Sequence, residues 1–286
     1  MGAVADKNKP GLAIISGRGD LPRLLAEKCQ ASGRAYMVVE FENIPLGWVS
    51  SHQVIPAIFE QTGRMFEQLH KANCQNVVFA GSMDRENLDV GKLDEKGIEL
   101  ATILSKSMKA GDDETLTSII KFFEVNGFNV HAAHEVLPSL IPEKGVLTIV
   151  KPSEDDIFDA TRATEIVDGL GHVDVGQGAV VGQGICLGLE SIQGTDTMLN
   201  FVKNNRNGYA PDPNGGRGVL LKAPKPEQDL RVDLPTIGPD TIQNAYDAGL
   251  AGIVIQAGGV MILRREETVT LANDLGLFLW VRPQND

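Results

Sequence analysis

The run Gly11-Leu-Ala-Ile-Ile-Ser-Gly-Arg-Gly-Asp-Leu-Pro-Arg-Leu-Leu-Ala-Glu-Lys-Cys29 decides the fold class. Its first six residues are apolar or small and read as a short strand buried on both faces. Gly17-Arg18-Gly19-Asp20 then breaks the extended chain. Pro22 falls in the first turn of the helix that follows, where its missing N–H leaves no helical bond unmade. Strand, glycine turn and helix together open a parallel α/β sheet. Moving outward, Ala35–Glu40 reads as a second strand, Gln61–His70 as a helix and Asn76–Ala80 as a strand ending at Gly81. Helical patterning returns over Glu99–Met108 and Glu114–Val125, before a strand at Gly127–Val130. This alternation predicts a parallel sheet with helices on both faces.

The pattern breaks at Leu137–Gly145 and Lys151–Asp156, which are rich in Pro, Ser, Gly and charge. We therefore expect a Rossmann-like α/β domain over 11–137, a linker over 138–156 and a second α/β domain over 157–286. In the second domain, Asp156–Leu170 predicts a helix and Ala179–Gly188 a glycine-turned hairpin. Gly218–Lys222, Gly252–Gln256, Val260–Leu263 and Leu277–Val281 predict strands of a mixed sheet, with helices at Asp196–Val202, from Thr241 and at Glu266–Leu275. A ligand cleft is expected between the two domains, as is common for α/β proteins of this size.

Composition removes several function classes. The chain has 286 residues, a formal charge of −12, 42% hydrophobic and 22% charged residues, all ordinary for a soluble globular protein apart from the acidity. That acidity argues against nucleic acid as the main partner, since a phosphate backbone needs a broad basic surface. The N-terminus is short and polar, so a cytoplasmic protein with at most peripheral membrane contact is expected. Cys29, Cys74 and Cys186 form no CxxC pair and are expected as buried thiols in a reducing compartment. The five histidines include no HExxH, no P-loop sequence is present, and no GxSxG occurs.

The segment Ala223-Pro-Lys-Pro-Glu-Gln-Asp-Leu-Arg-Val-Asp-Leu-Pro-Thr-Ile-Gly238 is the richest in chemistry. Three prolines stiffen it, while Lys225 and Arg231 can neutralise phosphoryl oxygens and Asp229 and Asp233 offer hard oxygen ligands to a divalent cation. A solvated surface loop carrying paired charges is the competing explanation. It leads into the helix from Thr241, whose N-terminus favours anions. Gly17-Arg18-Gly19, followed by Glu40 about 20 residues later, sits where a dinucleotide loop and its ribose ligand belong. Pro22 replaces the third glycine, so a simpler diphosphate loop competes with a nicotinamide or flavin site. Gly81 and Ser82 lie at the carboxyl edge of the sheet, where open α/β sheets bind ligands, or form an ordinary turn. The acids Asp112, Asp113 and Glu114 read as first-turn helix charges or as a metal-facing carboxylate. Gly194-Thr195 is a helix start that can also hold phosphate. Adjacent His134 and Glu135 cannot face one another, so a structural role is expected there.

Taken in order, Gly17-Arg-Gly19, Phe79-Ala-Gly81, Lys109-Ala-Gly-Asp-Asp113, Ala133-His-Glu-Val136, Asp174-Val-Gly-Gln-Gly-Ala179, Glu190 with Gly194-Thr-Asp196, Lys222-Ala-Pro-Lys-Pro226, Arg231–Gly238 and Ala248–Gly252 resemble the LpxI-type UDP-2,3-diacylglucosamine diphosphatases of lipid A biosynthesis. The resemblance spans roughly Gly11 to Val281. It implies Mg²⁺-dependent hydrolysis of a UDP-linked diacylated sugar lipid to UMP and 2,3-diacylglucosamine 1-phosphate in a Gram-negative cytoplasm; peripheral contact with the inner membrane surface stays open. Within it Asp233 is expected as the essential carboxylate, ligating Mg²⁺ or orienting the water, with Asp229 and Asp113 as a second metal ligand or outer-shell partners. Gly17, Gly19, Ala80, Gly81, Ser82, Gly111, Asp112, Gln177, Gly194, Thr195, Asp196, Lys222, Lys225, Arg231 and Thr236 are the implied substrate contacts. A homodimer stays open as the assembly. Two other classes stay open beside the hydrolase: a Rossmann-type oxidoreductase using Gly17–Glu40, and a non-catalytic lipid or nucleotide-sugar carrier.

Overall fold

A computed structural model describes residues 10–83, 88–107, 112–208, 212, 214–226 and 228–283, with the side chain of Asp112 left out. The chain divides into two compact units. The first runs to Pro138 and also takes in Arg231–Asp233; the second comprises Ser139–Leu230 and resumes at Leu234.

In the first unit the described strands are β1 (Gly11–Ser16), β2 (Tyr36–Phe41), β3 (Val54–Ala57), β4 (Cys74–Ala80) and β5 (Asn129–His131). They form one parallel sheet in the order β3-β2-β1-β4-β5. The helices are α1 (Leu21–Ser32), α2 (Thr62–Lys71), α3 (Glu95–Ser107), α4 (Asp112–Val125) and the single-turn α5 (Ala133–Val136). Leu12, Ala13, Ile14 and Ile15 are all at most 2% exposed, so both faces of β1 are covered, as its unbroken apolar run predicts. Phe66 of α2 anchors an aromatic cluster with Phe122, Phe123 and Phe128, ring centroids 4.9 to 5.6 Å away. Strand β3 is not among the expected strands, and it carries Pro56, a residue that fits poorly within a sheet. It is tolerated because β3 is an edge strand, where one missing donor costs no ladder bond.

The second unit contains β6 (Gly145–Val146), α6 (Glu154–Gly171), β7 (Gly178–Gly182), β8 (Ile185–Leu189), α7 (Gly194–Asn205), β9 (Val219–Lys222), β10 (Thr236–Ile237), α8 (Pro239–Asp247), β11 (Gly252–Gln256), β12 (Met261–Ile262), α9 (Arg265–Asp274) and β13 (Phe278–Arg282). Its main sheet has the order β6-β13-β11-β9-β7-β8, parallel through β9, β11 and β13 and antiparallel at both ends. Period-2 alternation sorts the core. Val180, Leu220, Ile253, Ile255 and Leu279 join Leu199, Ile242 and Ala272 of the helices on one face. Ala179, Val181, Val219, Leu221, Val254 and Phe278 meet Ala160, Ala163 and Val167 of α6 on the other. The β7–β8 turn uses Gln183 and Gly184, both at positive φ, as a tight hairpin requires.

Two expectations change here. Of the stretch 138–156, Pro138 closes the first unit and the residues from Ser139 onward are built into the second rather than standing apart. Val146 pairs with Trp280, Leu147 N bonds Leu279 O at 2.9 Å, and Thr148 Oγ1 accepts from Leu279 N at 2.9 Å. Polar composition mimicked a linker because a two-residue edge strand needs little apolar pattern. Cys29 and Cys74 are buried, but Cys186 is exposed, since β8 closes the sheet and turns that side chain to solvent.

Candidate functional site

In the first unit the order 3-2-1-4-5 puts the topological switch point between β1 and β4, so the loops after those strands meet at the carboxyl edge. They meet backbone to backbone. Gly17 N donates to Ala80 O at 2.7 Å, Arg18 N to Ser82 O at 2.8 Å and Ser82 N to Arg18 O at 3.2 Å. A Cβ on Gly17 would strike the carbonyl of Ser82, and one on Gly81, at φ +86°, would strike that of Arg18. Both glycines are thus required by the approach of two main chains. Gly19, at φ +92°, has nothing within 4 Å of a would-be Cβ, so its glycine answers to backbone conformation and not to a close approach. Ala80 is buried and Ser82 is exposed. Glu40 accepts Leu46 N at 2.7 Å, so the carboxylate placed for a ribose closes its own loop.

In the second unit the carboxyl ends of β9, β11 and β13, the start of β7 and the end of β8 share one sheet edge. Lys222, the last residue of β9, is 4% exposed, and Glu190, just past β8, is 7% exposed. Lys222 Nζ donates to Thr195 Oγ1 at 2.7 Å and lies 3.6 Å from Glu190 Oε2. An ammonium only donates, so the hydroxyl proton of Thr195 goes to Glu190 Oε2, 3.0 Å away. The chain of bonds has one direction, from lysine through threonine to carboxylate. Thr195, expected as a donor to substrate, has its proton committed to Glu190 in this arrangement.

Sheet register explains how these side chains meet. Gly178 pairs with Lys222 across the β7–β9 ladder, and Glu190 N bonds Gly178 O at 2.9 Å on the other side. A Cβ on Gly178 would collide with Glu190 Oε2, and one on Gly176 with the Glu190 carbonyl. Glycine on the middle strand clears the path for a carboxylate to cross over it. Gln177 O accepts Ala223 N at 3.1 Å, and its Oε1 accepts Gln228 Nε2 at 3.3 Å. Lys225 Nζ pairs with Asp174 Oδ1, while Pro224 and Pro226 press on Gly259 and Gly171.

The remaining expected residues are distributed as follows. Gly194, at φ +78°, begins α7, and Asp196 in its first turn accepts from Asn244 Nδ2 at 2.9 Å. Thr236 lies in β10 and donates Oγ1 to Leu234 O at 3.1 Å. Asp229, Arg231 and Asp233 are half-buried in an irregular segment, and Arg231 Nη1 pairs with Glu124 Oε1 at 2.7 Å. Asp113 is half-buried in the first turn of α4; Gly111 and the side chain of Asp112 lie outside the described residues. Among the described residues no group of three or more His, Cys, Asp or Glu side chains is arranged to hold a metal ion. His131, not His134, partners Glu135: Nδ1 to Oε2 is 2.8 Å, and Nε2 reaches Asn76 Oδ1 at 3.0 Å. That hydrogen bond holds the Glu135 carboxyl below its ordinary value. Glu190, Asp174 and Gln228 had no assigned role in the sequence reading. The glycines at 176 and 178 were the legible signal, but what they make room for lies far along the chain.

Fold and site define a two-unit α/β protein whose second unit buries a charged lysine–threonine–glutamate group at the carboxyl edge of its sheet. The chain belongs to the LpxI family: residues 11–140 match the LpxI N-terminal domain and 143–280 the LpxI C-terminal domain. It is 38% identical over 279 residues to the UDP-2,3-diacylglucosamine pyrophosphatase LpxI of Caulobacter vibrioides, covering 96% of this chain and 98% of that protein. A solved structure from Methylobacillus flagellatus, assigned to the NAD-dependent epimerase/dehydratases, superposes on 50% of this chain and 43% of its own. Its TM-score of 0.24 and 14% identity carry no argument about fold or function.

Proposed function

We propose that this chain hydrolyses the diphosphate of UDP-2,3-diacylglucosamine to UMP and 2,3-diacylglucosamine 1-phosphate. The observation that carries this reading is the 38% identity, sustained over 96% of the chain, to a protein of that named activity. The residues suit the reaction. A diphosphate resists hydrolysis until its oxygens are neutralised and a water is aimed in line at phosphorus. Lys222, Lys225 and Arg231 supply cationic donors for the phosphoryl oxygens. Asp233 holds and orients the attacking water, placing its oxygen on the β-phosphorus. The new P–O bond forms there as the bond to the bridging oxygen breaks; UMP departs with the bridging oxygen, and the water oxygen stays on the sugar phosphate.

Carboxylate oxygens are the donor type that Mg²⁺ takes. Asp233, with Asp229 and Asp113 as further candidates, offers hard oxygen ligands, and Mg²⁺ commonly rests on one or two carboxylates plus substrate phosphate. When bound, the ion neutralises phosphoryl charge as a Lewis acid. The test is UMP release from UDP-2,3-diacylglucosamine by purified protein with Mg²⁺, with EDTA and Asp233→Ala as controls. UMP that requires both metal and Asp233 is expected. Binding of the lipid without UMP would mark a carrier instead. Hydrolysis in ¹⁸O-water is expected to label the sugar phosphate; label in UMP would move the attack to the α-phosphorus.

A further inference from the structure

Lys222 and Glu190 are a buried ion pair that folding alone does not explain. Such pairs are expensive to desolvate, and apolar residues of similar size often serve stability as well or better. Here the chain also places glycine at 176 and 178, one against the Glu190 carbonyl and one against its carboxylate. The pair stands at the carboxyl edge of β9, where α/β sheets present groups to ligands. Among the described residues Lys222 Nζ makes one short hydrogen bond, to Thr195, and has Glu190 as its counter-charge at 3.6 Å. An ammonium carries three donors, so this arrangement anchors the group while leaving N–H capacity for an anion.

We propose that Glu190 is a positioning residue: it locks Thr195 and Lys222 into one directed chain, so that the lysine presents its remaining N–H groups to the phosphoryl oxygens of the substrate. This rests on the diphosphatase reading above. Glu190 does not itself touch the diphosphate. It acts by fixing where the Lys222 charge sits, and Thr195 transmits the constraint by accepting from one and donating to the other. Gly178 makes the arrangement possible because only a residue without Cβ lets the carboxylate cross the middle strand.

The experiment compares Glu190→Gln, Glu190→Asp, Lys222→Met and the Glu190→Gln/Lys222→Met double variant. The readouts are kcat and KM for UMP release, the thermal midpoint, and calorimetric titration with UDP as a diphosphate probe. Glu190→Gln is expected to lose on the order of 10- to 100-fold in kcat/KM, the scale of a hydrogen bond to a charged group. Added to Lys222→Met, it should cost no more than about twofold, because its route to the substrate is already gone. A full additional loss in the double variant, or unchanged kcat/KM in Glu190→Gln, would overturn the proposal. Should Glu190→Gln fold poorly, Glu190→Asp keeps the counter-charge while drawing back from Thr195. It is expected to lower kcat/KM with an unchanged thermal midpoint, and wild-type kinetics there would overturn the proposal. If the unaltered protein releases no UMP, the diphosphatase reading fails and UDP titration decides the rest. UDP affinity that Glu190→Gln weakens only when Lys222 is present keeps the positioning role; absence of UDP binding overturns it as well.

Discussion

The two units solve the same topological problem in opposite ways. Each brings several chain segments to the carboxyl edge of parallel strands, and each does so through glycine. In the first unit Gly17 and Gly81 let two main chains touch, and the Arg18–Ser82 bridge joins the loops after β1 and β4. In the second unit Gly178 lets two side chains meet across an intervening strand, and a buried lysine and glutamate occupy the edge. The lesson concerns what glycine replaces. Where backbone lies opposite the missing Cβ, the residue is a packing requirement. Where a carboxylate lies there, it is a passage for charge.

The largest effect expected from that contrast is chemical. Asp233→Ala should reduce UMP release by roughly 10²- to 10³-fold, the usual result of removing one charge-stabilising group, while the thermal midpoint stays near that of the unaltered protein. Equal turnover would take the chemistry away from the proline-stiffened segment altogether. Next come the glycines themselves. Gly81→Ala imposes a positive φ on a side chain and drives it into backbone, so a loss of about 1–3 kcal/mol in stability is expected by denaturant unfolding. Gly178→Ala meets the movable end of Glu190 instead and should lose activity in far greater proportion than stability. If both substitutions cost the same stability, the distinction between packing and passage collapses.

Thiol reactivity tests the comparison more gently. Cys186 on exposed β8 should alkylate first, and Cys74 at the start of β4 last, since burial pushes its thiol up to about 11. Mass mapping of partly labelled protein would show the order; early labelling of Cys74 would mean that the first unit opens readily. The smallest effect is expected at Glu135, half-exposed beside His131. Its folded pKa lies below its unfolded one, so its contribution is present above the ordinary carboxylate range of roughly 4.3 and fades as pH falls through the lowered value. Glu135→Gln should flatten that acid limb of the unfolding curve. An unaltered limb would show that the hydrogen bond to His131 adds nothing to stability.

Most of the elements were readable because their patterns are local. The apolar run of β1, the glycine turn after it and the glycine-turned hairpin of β7 and β8 are each contained in a few neighbouring residues. Strand β3 carries Pro56, whose cost depends on being at a sheet edge, and that is a property of the whole sheet. Strand β6 was hidden because two residues carry no period. In the site, the sequence exposed residue types: the prolines, Lys225, Arg231, Asp229 and Asp233, and the glycines at 176 and 178. It could not show that Lys225 would be held by Asp174, or that the proton of Thr195 would be taken by Glu190.

By itself, then, the sequence determined the α/β class, the order of most strands and helices, and through its motifs the family. Those rest on periodicity, turn chemistry and the succession of short segments, all of which survive in one dimension. Only the tertiary structure decided which charge meets which. The group of Glu190, Thr195 and Lys222 exists because β8, β7 and β9 lie side by side in one register with glycine in the middle. Register is a relation between distant segments, fixed by the packing of both sheet faces, and no local stretch of the chain contains it.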